Sequence, residues 1–429
     1  MFEVKEKPRL VERAFLLSVI LREDEREEAD SLLDELSELV ENLGIKVCRK
    51  VVVRTRKRYP GHILGKGKLA EIIGQVGELN CDVIIFDNEI SPGQQRNWEE
   101  EGKVLVIDRH EVILDVFAER AQTKEASLQV SLARLEYSLP RLRRAWTHLG
   151  RQRGGGVTQR GEGEAQIELD QRMLRDKIAS TKKEIARVSR TRSTSRKKRQ
   201  RIPLPSLAIV GYTNAGKSTL LNRLAGSAVL SEDKLFATLD PTSRKVRLPG
   251  GRAVVITDTV GFIRKLPHRL VDAFKATLEE ALVSNLLLHV VDLSHQEFEK
   301  HMQTTLEVLK ELGAEDKEIL TVYNKIDRTD DQWKRLKARN QKETGAFISC
   351  RTGEGIDELL EIIESKLDEG QAVRSYLVPH EKYALVSRLR EQGSLVSEET
   401  AEGEGGVRVE ATPRGKLDHQ MEEFLLATG

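Results

Sequence analysis

At 429 residues the chain is longer than one ordinary domain; 39% hydrophobic residues supply real cores, and 32% charged residues mark a well-solvated surface. Lys+Arg number 70 and Asp+Glu 69, a formal net charge of +1 that, averaged over the whole chain, argues against a polyanionic partner. Three scattered cysteines (Cys48, Cys81, Cys350) exclude a disulfide framework or a zinc knuckle, and no apolar run nears the ~20 residues that span a bilayer. The N-terminal MFEVKEKPRLVER has no signal-peptide core, so the chain is expected in the cytoplasm with reduced thiols.

Residues 1–110 predict a small α/β domain. AFLLSVIL (14–21) is strand-like, and Leu32, Leu33, Leu36, Leu39, Val40 and Leu43 then share one helical face that stops at Gly44. KVCRKVVV, CDVIIFD and KVLVID follow as strands, with LAEIIGQVGEL as a helix between two of them, which suggests parallel pairing. GKGK (65–68) lacks a full phosphate-loop pattern and reads as a turn.

Residues 111–201 change period. Leu128, Leu132, Leu135, Leu139, Leu142, Trp146 and Leu149 repeat 4-3, as do Leu174, Ile178, Thr181, Ile185 and Val188. Between the seams lies the glycine-rich GRQRGGGVTQRGEG (150–163). The pattern predicts an antiparallel coiled-coil hairpin with a flexible tip, kinked at Pro140. From Pro140 to Arg201 there are 19 Lys+Arg against 6 Asp+Glu, so the +1 average conceals one strongly basic arm. Arg141, Arg143, Arg144, Arg151, Arg153 and Arg160 gather near its tip. Guanidinium groups suit phosphates and exposed bases, and the glycines allow close backbone approach, so RNA is the expected partner.

Residues 202–368 form a second alternating α/β series, and 369–429 a small α+β domain around one helix (381–392). The second series carries the chemistry. Buried-strand SLAIV leads into Gly211-Tyr212-Thr213-Asn214-Ala215-Gly216-Lys217-Ser218 and then a helix, the strand–loop–helix setting of a phosphate-binding loop. Backbone N–H groups would converge on phosphate oxygens, Lys217 would meet the β/γ-phosphates, and Ser218 could ligate Mg²⁺. A strand ends in Asp258-Thr259-Val260-Gly261, where Asp258 can hold a magnesium-bound water and the Gly261 N–H can meet a γ-phosphate.

ILTVY then enters Asn324-Lys325-Ile326-Asp327. Asp327 can accept from guanine N1–H and the exocyclic amine, whereas adenine presents an acceptor at N1. Ser349-Cys350-Arg351 ends a last strand, placing a backbone N–H for the guanine carbonyl. Order, spacing and strand-end placement together predict a P-loop GTPase binding GTP, GDP and Mg²⁺. Phe236-Ala237-Thr238-Leu239-Asp240-Pro241-Thr242 is the candidate switch, with Thr238 or Thr242 as its magnesium-sensing hydroxyl. Phe262 follows Gly261 where many GTPases carry a water-orienting Gln, so hydrolysis by the chain alone is expected to be slow.

GYTNAGKSTLLNRLAG, LFATLDPT, DTVGFIRKLPH, QRNWE, the run from VIDRHEVILDVF to SLPRL, and the GGG…RGEGE tip with ELDQR resemble the HflX family of ribosome-associated GTPases. The likeness covers most of residues 60–370. It implies nucleotide contacts from Gly211–Ser218, Phe236–Asp240, Asp258–Gly261, Asn324–Asp327 and Ser349–Arg351, with Mg²⁺ at Ser218 and Thr238. Lys217, Thr238 and Gly261 are then the residues expected to serve hydrolysis.

The family further implies a monomer that binds the large ribosomal subunit and rescues or splits stalled or idle ribosomes under stress, its hydrolysis stimulated there. The arm tip (Arg151, Arg153, Gly154, Gly155, Gly156, Arg160) would face rRNA. Glu162 stands where the family tip carries Pro, and Cys350 where Ala is common. A GTP-regulated RNA- or protein-docking scaffold that does not act on ribosomes is the alternative, and a GTPase acting on transfer RNA a third reading.

Overall fold

The computed structural model describes residues 11–145, 169–188, 204–226, 235–236, 238–265, 282–329, 334–335, 345–369, 373–391, 394–401, 405–413 and 416–426. The chain separates into two compact units. The first holds the N-terminal sheet, the helices up to residue 188, and two short pieces from far along the sequence, one around Phe236 and one beginning at Arg264.

In that unit β1 (Arg13–Ile20), β2 (Lys46–Arg54), β3 (Val83–Phe86) and β4 (Leu105–Asp108) form a sheet of order β2-β1-β3-β4. Every pairing is parallel, as the alternation of strands and helices predicts. The crossovers are α1 (Arg26–Asn42), α2 (Lys66–Glu78) and α3 (Pro92–Gly102). Gly44 is left-handed at φ +76°, the conformation that ends α1. Gly65 is the N-cap of α2, and Lys68 lies 2.8 Å from Glu71, so GKGK starts a helix.

The sequence reading passed over α3. Its signal is a capping box: Ser91 Oγ accepts from the Gln94 N–H, and the Gln94 side chain returns to the Ser91 N–H. The helix then buries little besides Trp98, which packs edge-on against Phe86 at 5.1 Å. One buried side chain gives no periodicity to read.

Next come α4 (Arg109–Arg120), α5 (Lys124–Ala145) and α6 (residues 169–188). The helix α5 runs on through Pro140. Its most buried residues, Ala126, Gln129, Val130 and Ala133, are offset from the leucine seam, whose Leu128, Leu132, Leu135 and Leu139 are half-buried. Ala126 and Ala133 let α5 approach α3 and α4 closely. In α6, Gln171 and Thr181 are buried, and Leu174, Ile178, Ile185 and Val188 are half-buried. Lys124–Glu184 at 2.6 Å and Lys182–Glu136 at 2.8 Å link α5 to α6.

The second unit is built on a six-stranded sheet, order β10-β9-β8-β5-β7-β6. Its strands are β5 (Ser206–Gly211), β6 (Thr242–Arg247), β7 (Ala253–Asp258), β8 (Leu286–Asp292), β9 (Ile319–Asn324) and β10 (Gly345–Phe347). Only β6 runs antiparallel, against β7. The helices α7 (Lys217–Leu224) and α9 (Ile356–Glu369) supply Leu220, Leu221, Leu359 and Ile363 to the core shared with Ile209, Ile256, Leu288 and Val322. On the other side α8 (Phe298–Glu311) contributes Phe298 and Met302.

The chain ends in an antiparallel sheet of order β11-β13-β12, made of β11 (Arg374–Pro379), β12 (Leu395–Ala401) and β13 (Gly406–Ala411). It closes over Val386 and Leu389 of α10 (Ala384–Glu391) and Leu417 and Met421 of α11 (Lys416–Met421). Among the described residues no helix is long and apolar enough to cross a membrane.

Candidate nucleotide-binding site

The loop between β5 and α7 sits at the carboxyl end of the central parallel strand, where open α/β sheets place ligands. Gly216 has φ +98°, and a Cβ there would collide with Asn324 Nδ2, so this turn accepts only glycine. Lys217 is buried, and its ammonium donates to the Tyr212 carbonyl at 2.8 Å across the loop. Burial pushes this group down to about 8, opposed by the attraction of Asp258. Nearby on β8, His289 is pushed down to about 4, by burial first and by Lys217 second, and stays neutral.

Ser218 donates to Asp258 Oδ2 at 2.6 Å. A hydroxyl and a carboxylate held that close are hard oxygen donors suited to Mg²⁺ and its water shell. Thr259 Oγ1 donates to the Ile209 carbonyl at 2.7 Å, fixing the start of this loop on β5. A Cβ on Gly261 would lie 2.8 Å from Thr213 Cα and 2.9 Å from Lys217 Nζ, so the DxxG glycine is the residue that lets the two loops touch. The backbones interlock one residue on: the Phe262 N–H donates to the Gly211 carbonyl at 3.1 Å and the Thr213 N–H to the Phe262 carbonyl at 2.7 Å. Phe262 itself is 1% exposed.

At the β9 end, Asn324 Nδ2 donates to the Ala215 carbonyl at 2.9 Å, and Asn324 Oδ1 accepts the Cys350 N–H at 3.1 Å. One amide thus ties together three segments that the sequence reading assigned to the nucleotide. Asp327 accepts Ser349 Oγ at 2.7 Å, and Arg351 Nη2 lies 3.0 Å from its other oxygen. The Ser349 hydrogen bond first, and Arg351 more weakly, hold the Asp327 carboxyl below the usual carboxylate range. Lys325, left-handed at φ +63°, pairs with Asp292 at 2.8 Å. Burial pushes the Cys350 thiol up to about 12, which makes it a packing group.

These contacts bring Gly211–Ser218, Asp258–Gly261, Asn324–Asp327 and Ser349–Arg351 to one sheet edge. Sequence reasoning missed His301, whose ring stacks on Tyr212 at 3.8 Å and 3°; a histidine on the buried face of α8 carries no motif. Phe236, assigned to the nucleotide, is buried with φ +56° and packs against Phe117 of α4 at 4.6 Å, in the first unit with Thr238 and Leu239. Asp240 lies in the second unit. Ala237 and the arm-tip residues Arg151, Arg153, Gly154, Gly155, Gly156 and Arg160 fall outside the described residues.

Comparison with known proteins shows the family to which the chain belongs. Residues 206–325 match the family described as "50S ribosome-binding GTPase", residues 30–118 "GTP-binding GTPase N-terminal", and residues 120–199 "GTP-binding GTPase Middle Region". A protein of Akkermansia muciniphila named GTPase HflX is 45% identical over 99% of both chains. One of Escherichia coli with the same name is 38% identical over 93% of both. A crystal structure of a GTP-binding protein from Sulfolobus solfataricus in complex with GDP is 26% identical, covering 83% of this chain and 98% of that one, with TM-score 0.43.

Proposed function

Because the chain belongs to the HflX family of GTPases, we propose that it is a magnesium-dependent GTP switch of the cytoplasm that acts as a monomer on the large ribosomal subunit. In this reading a basic, glycine-tipped hairpin reaches rRNA, and the switch rescues or splits stalled or idle ribosomes. The observation that carries the switch is the convergence of Lys217, the Ser218–Asp258 pair and the Asn324–Asp327 loop on one sheet edge. The ribosomal assignment rests on the description of the family matched by residues 206–325 and on the 19-to-6 basic excess of residues 140–201.

Each residue has a definite task. The Lys217 ammonium exchanges the Tyr212 carbonyl for the β/γ-phosphate oxygens, joined there by the N–H groups of the P-loop. Asp327 accepts N1–H and the exocyclic amine of guanine, while Asn324 holds the P-loop to the Ser349–Arg351 turn. Ser218 and Thr238 would ligate Mg²⁺ and Asp258 would hold one of its waters; such an ion would supply positive charge against the phosphates. The Gly261 N–H would meet the γ-phosphate beside the interlock of Phe262 with Gly211 and Thr213. A phenyl ring cannot orient water, so hydrolysis by the chain alone is slow and is stimulated on the ribosome.

Co-sedimentation with purified ribosomal subunits in the GTP-analogue, GDP and nucleotide-free states, with phosphate release followed in parallel, tests the reading. Nucleotide-dependent binding to the large subunit with accelerated release is expected. Rapid hydrolysis by the chain alone would contradict completion of the site by a partner, and RNA binding without a subunit preference would favour the docking-scaffold alternative.

A further inference from the structure

The N-terminal sheet has its own carboxyl-end crevice, and it is not empty. In the order β2-β1-β3-β4 the chain reverses direction between β1 and β3, the position where doubly wound sheets bind ligands. Asp87, directly after β3, is fully buried there, with Glu35 of α1 and Arg109, the first residue of α4, beside it. Arg109 Nη1 lies 2.8 Å from Asp87 and donates to the Leu32 carbonyl at 3.0 Å, while Nη2 pairs with Glu35.

One guanidinium does not neutralise two buried carboxylates, and an uncompensated buried charge is costly. The missing charge comes from residues 264 and 265. Lys265 Nζ reaches Asp87 Oδ2 at 2.6 Å; Arg264 Nη2 donates to Ser31 Oγ at 2.9 Å, with its Nε 3.7 Å from Glu35. Lys265 is held left-handed at φ +55°, a conformation a lysine keeps only when its surroundings impose it.

We infer that this crevice is a binding site for paired guanidinium and ammonium groups, that its ligand is the Arg264–Lys265 segment of the same chain, and that it carries the state of the DxxG loop to the root of the basic arm. Three connections support it. Phe262, two residues before Arg264, is bonded through its backbone to Gly211 and Thr213 of the P-loop, so a shift of the DxxG loop pulls on the crevice through two peptide links. Arg109 is covalently next to Asp108, and Asp108 grips α5: it accepts the Tyr137 hydroxyl at 2.8 Å and Arg141 Nη2 at 3.0 Å, with the Arg141 guanidinium stacked 3.4 Å over the Tyr137 ring. Independently, Phe236 rests on Phe117, so the candidate switch segment also ends on α4.

A two-state element biased from one end is what a physical coupling requires. Here the element is the seating of Arg264–Lys265, and the reported output is the Arg109–Asp108 junction with α4 and α5. The inference goes beyond GTP binding, which has its own assay.

The test is hydrogen–deuterium exchange on the full chain with GDP and with a non-hydrolysable GTP analogue, reading peptides within residues 105–141. The natural chain should show a roughly fivefold or larger difference in exchange between the two states, the lower end of ordinary allosteric coupling. Arg264→Met with Lys265→Met should abolish that difference while affinity for a fluorescent GDP is retained. Lys265→Met alone leaves Arg109 paired to both carboxylates and should reduce the difference without loss of fold, and Lys265→Arg should restore it. A state difference that survives the double variant, a variant that only lowers the melting temperature, or no difference in the natural chain would each overturn the inference.

Discussion

Two sheets built on parallel strands present the carboxyl ends of those strands to opposite kinds of charge. On the six-stranded sheet the crevice offers Lys217 and the N–H groups of a glycine loop, and Lys217 makes do with the Tyr212 carbonyl. On the four-stranded sheet the crevice offers Asp87, Asp108 and Glu35, and each carboxylate is already met by Arg109, Arg141, Arg264 or Lys265. The first site is arranged to receive an anion from outside; the second is closed by its own chain. The same topological position thus serves as a ligand site or as a joint, and side-chain charge decides which.

The sharpest way to break this contrast is to remove the cation at the centre of the closed site. Arg109→Met leaves Asp87 and Glu35 without their main partner in a buried setting, which costs about 3–5 kcal/mol. In urea unfolding of the full chain the N-terminal transition should move strongly, while a GDP-stabilised transition stays in place. A single unshifted transition would mean that the network contributes nothing to the fold.

On the open site the matching change is Asp327→Asn. It replaces an acceptor of two charge-assisted hydrogen bonds by a group that donates at one position, and GTP affinity should fall by roughly two orders of magnitude. Xanthine carries a carbonyl where guanine has its amine, so the xanthine nucleotide should overtake GTP in competition with a fluorescent GDP. Unchanged preference would remove Asp327 from base recognition.

How much of this contrast was legible beforehand follows from how each site is assembled. The P-loop, DxxG and NKxD are contiguous runs at strand ends, so strand, turn and chemistry lie within a few letters. The closed site draws on Ser31, Glu35, Asp87, Arg109, Arg264 and Lys265, and the Arg264–Ser31 contact alone joins residues 233 apart. No short pattern holds them. Parallel pairing of the N-terminal strands was readable from apolar runs, whereas α3 was not, since it buries little besides Trp98. Arg141 illustrates the limit of counting charge: it adds to the basic excess of residues 140–201, yet Asp108 and Tyr137 hold it beside the end of β4.

Protonation offers a milder probe of the open site. Burial disfavours the Lys217 ammonium, so the folded protein without nucleotide releases this proton near pH 8, well below the unfolded chain. From about pH 8 up to the ordinary lysine range the unfolded chain binds the extra proton, and this group makes stability rise with pH there. Phosphate binding runs the other way, because only the ammonium attracts it. GDP affinity should be about tenfold weaker at pH 9 than at pH 7. His289, neutral above about 4, adds nothing to that slope. A flat profile would show that Lys217 remains charged in the free protein.

The smallest effect concerns the one place where the open site partly closes itself. Arg351 places Nη2 3.0 Å from Asp327 Oδ2, the oxygen that the Ser349 hydrogen bond leaves unused. Its side chain is 69% exposed, so the pair contributes under about 1 kcal/mol. If Arg351 competes with the base, Arg351→Ala frees Asp327, and GDP binds up to about fivefold more tightly with a faster association rate. If Arg351 instead contacts the bound nucleotide, as the family resemblance implies, the same substitution weakens binding and speeds dissociation. Association and dissociation rates by stopped flow separate the two outcomes. The competing role is the expected one, because a guanidinium nitrogen 3.0 Å from Asp327 Oδ2 stands where the guanine edge must approach that oxygen.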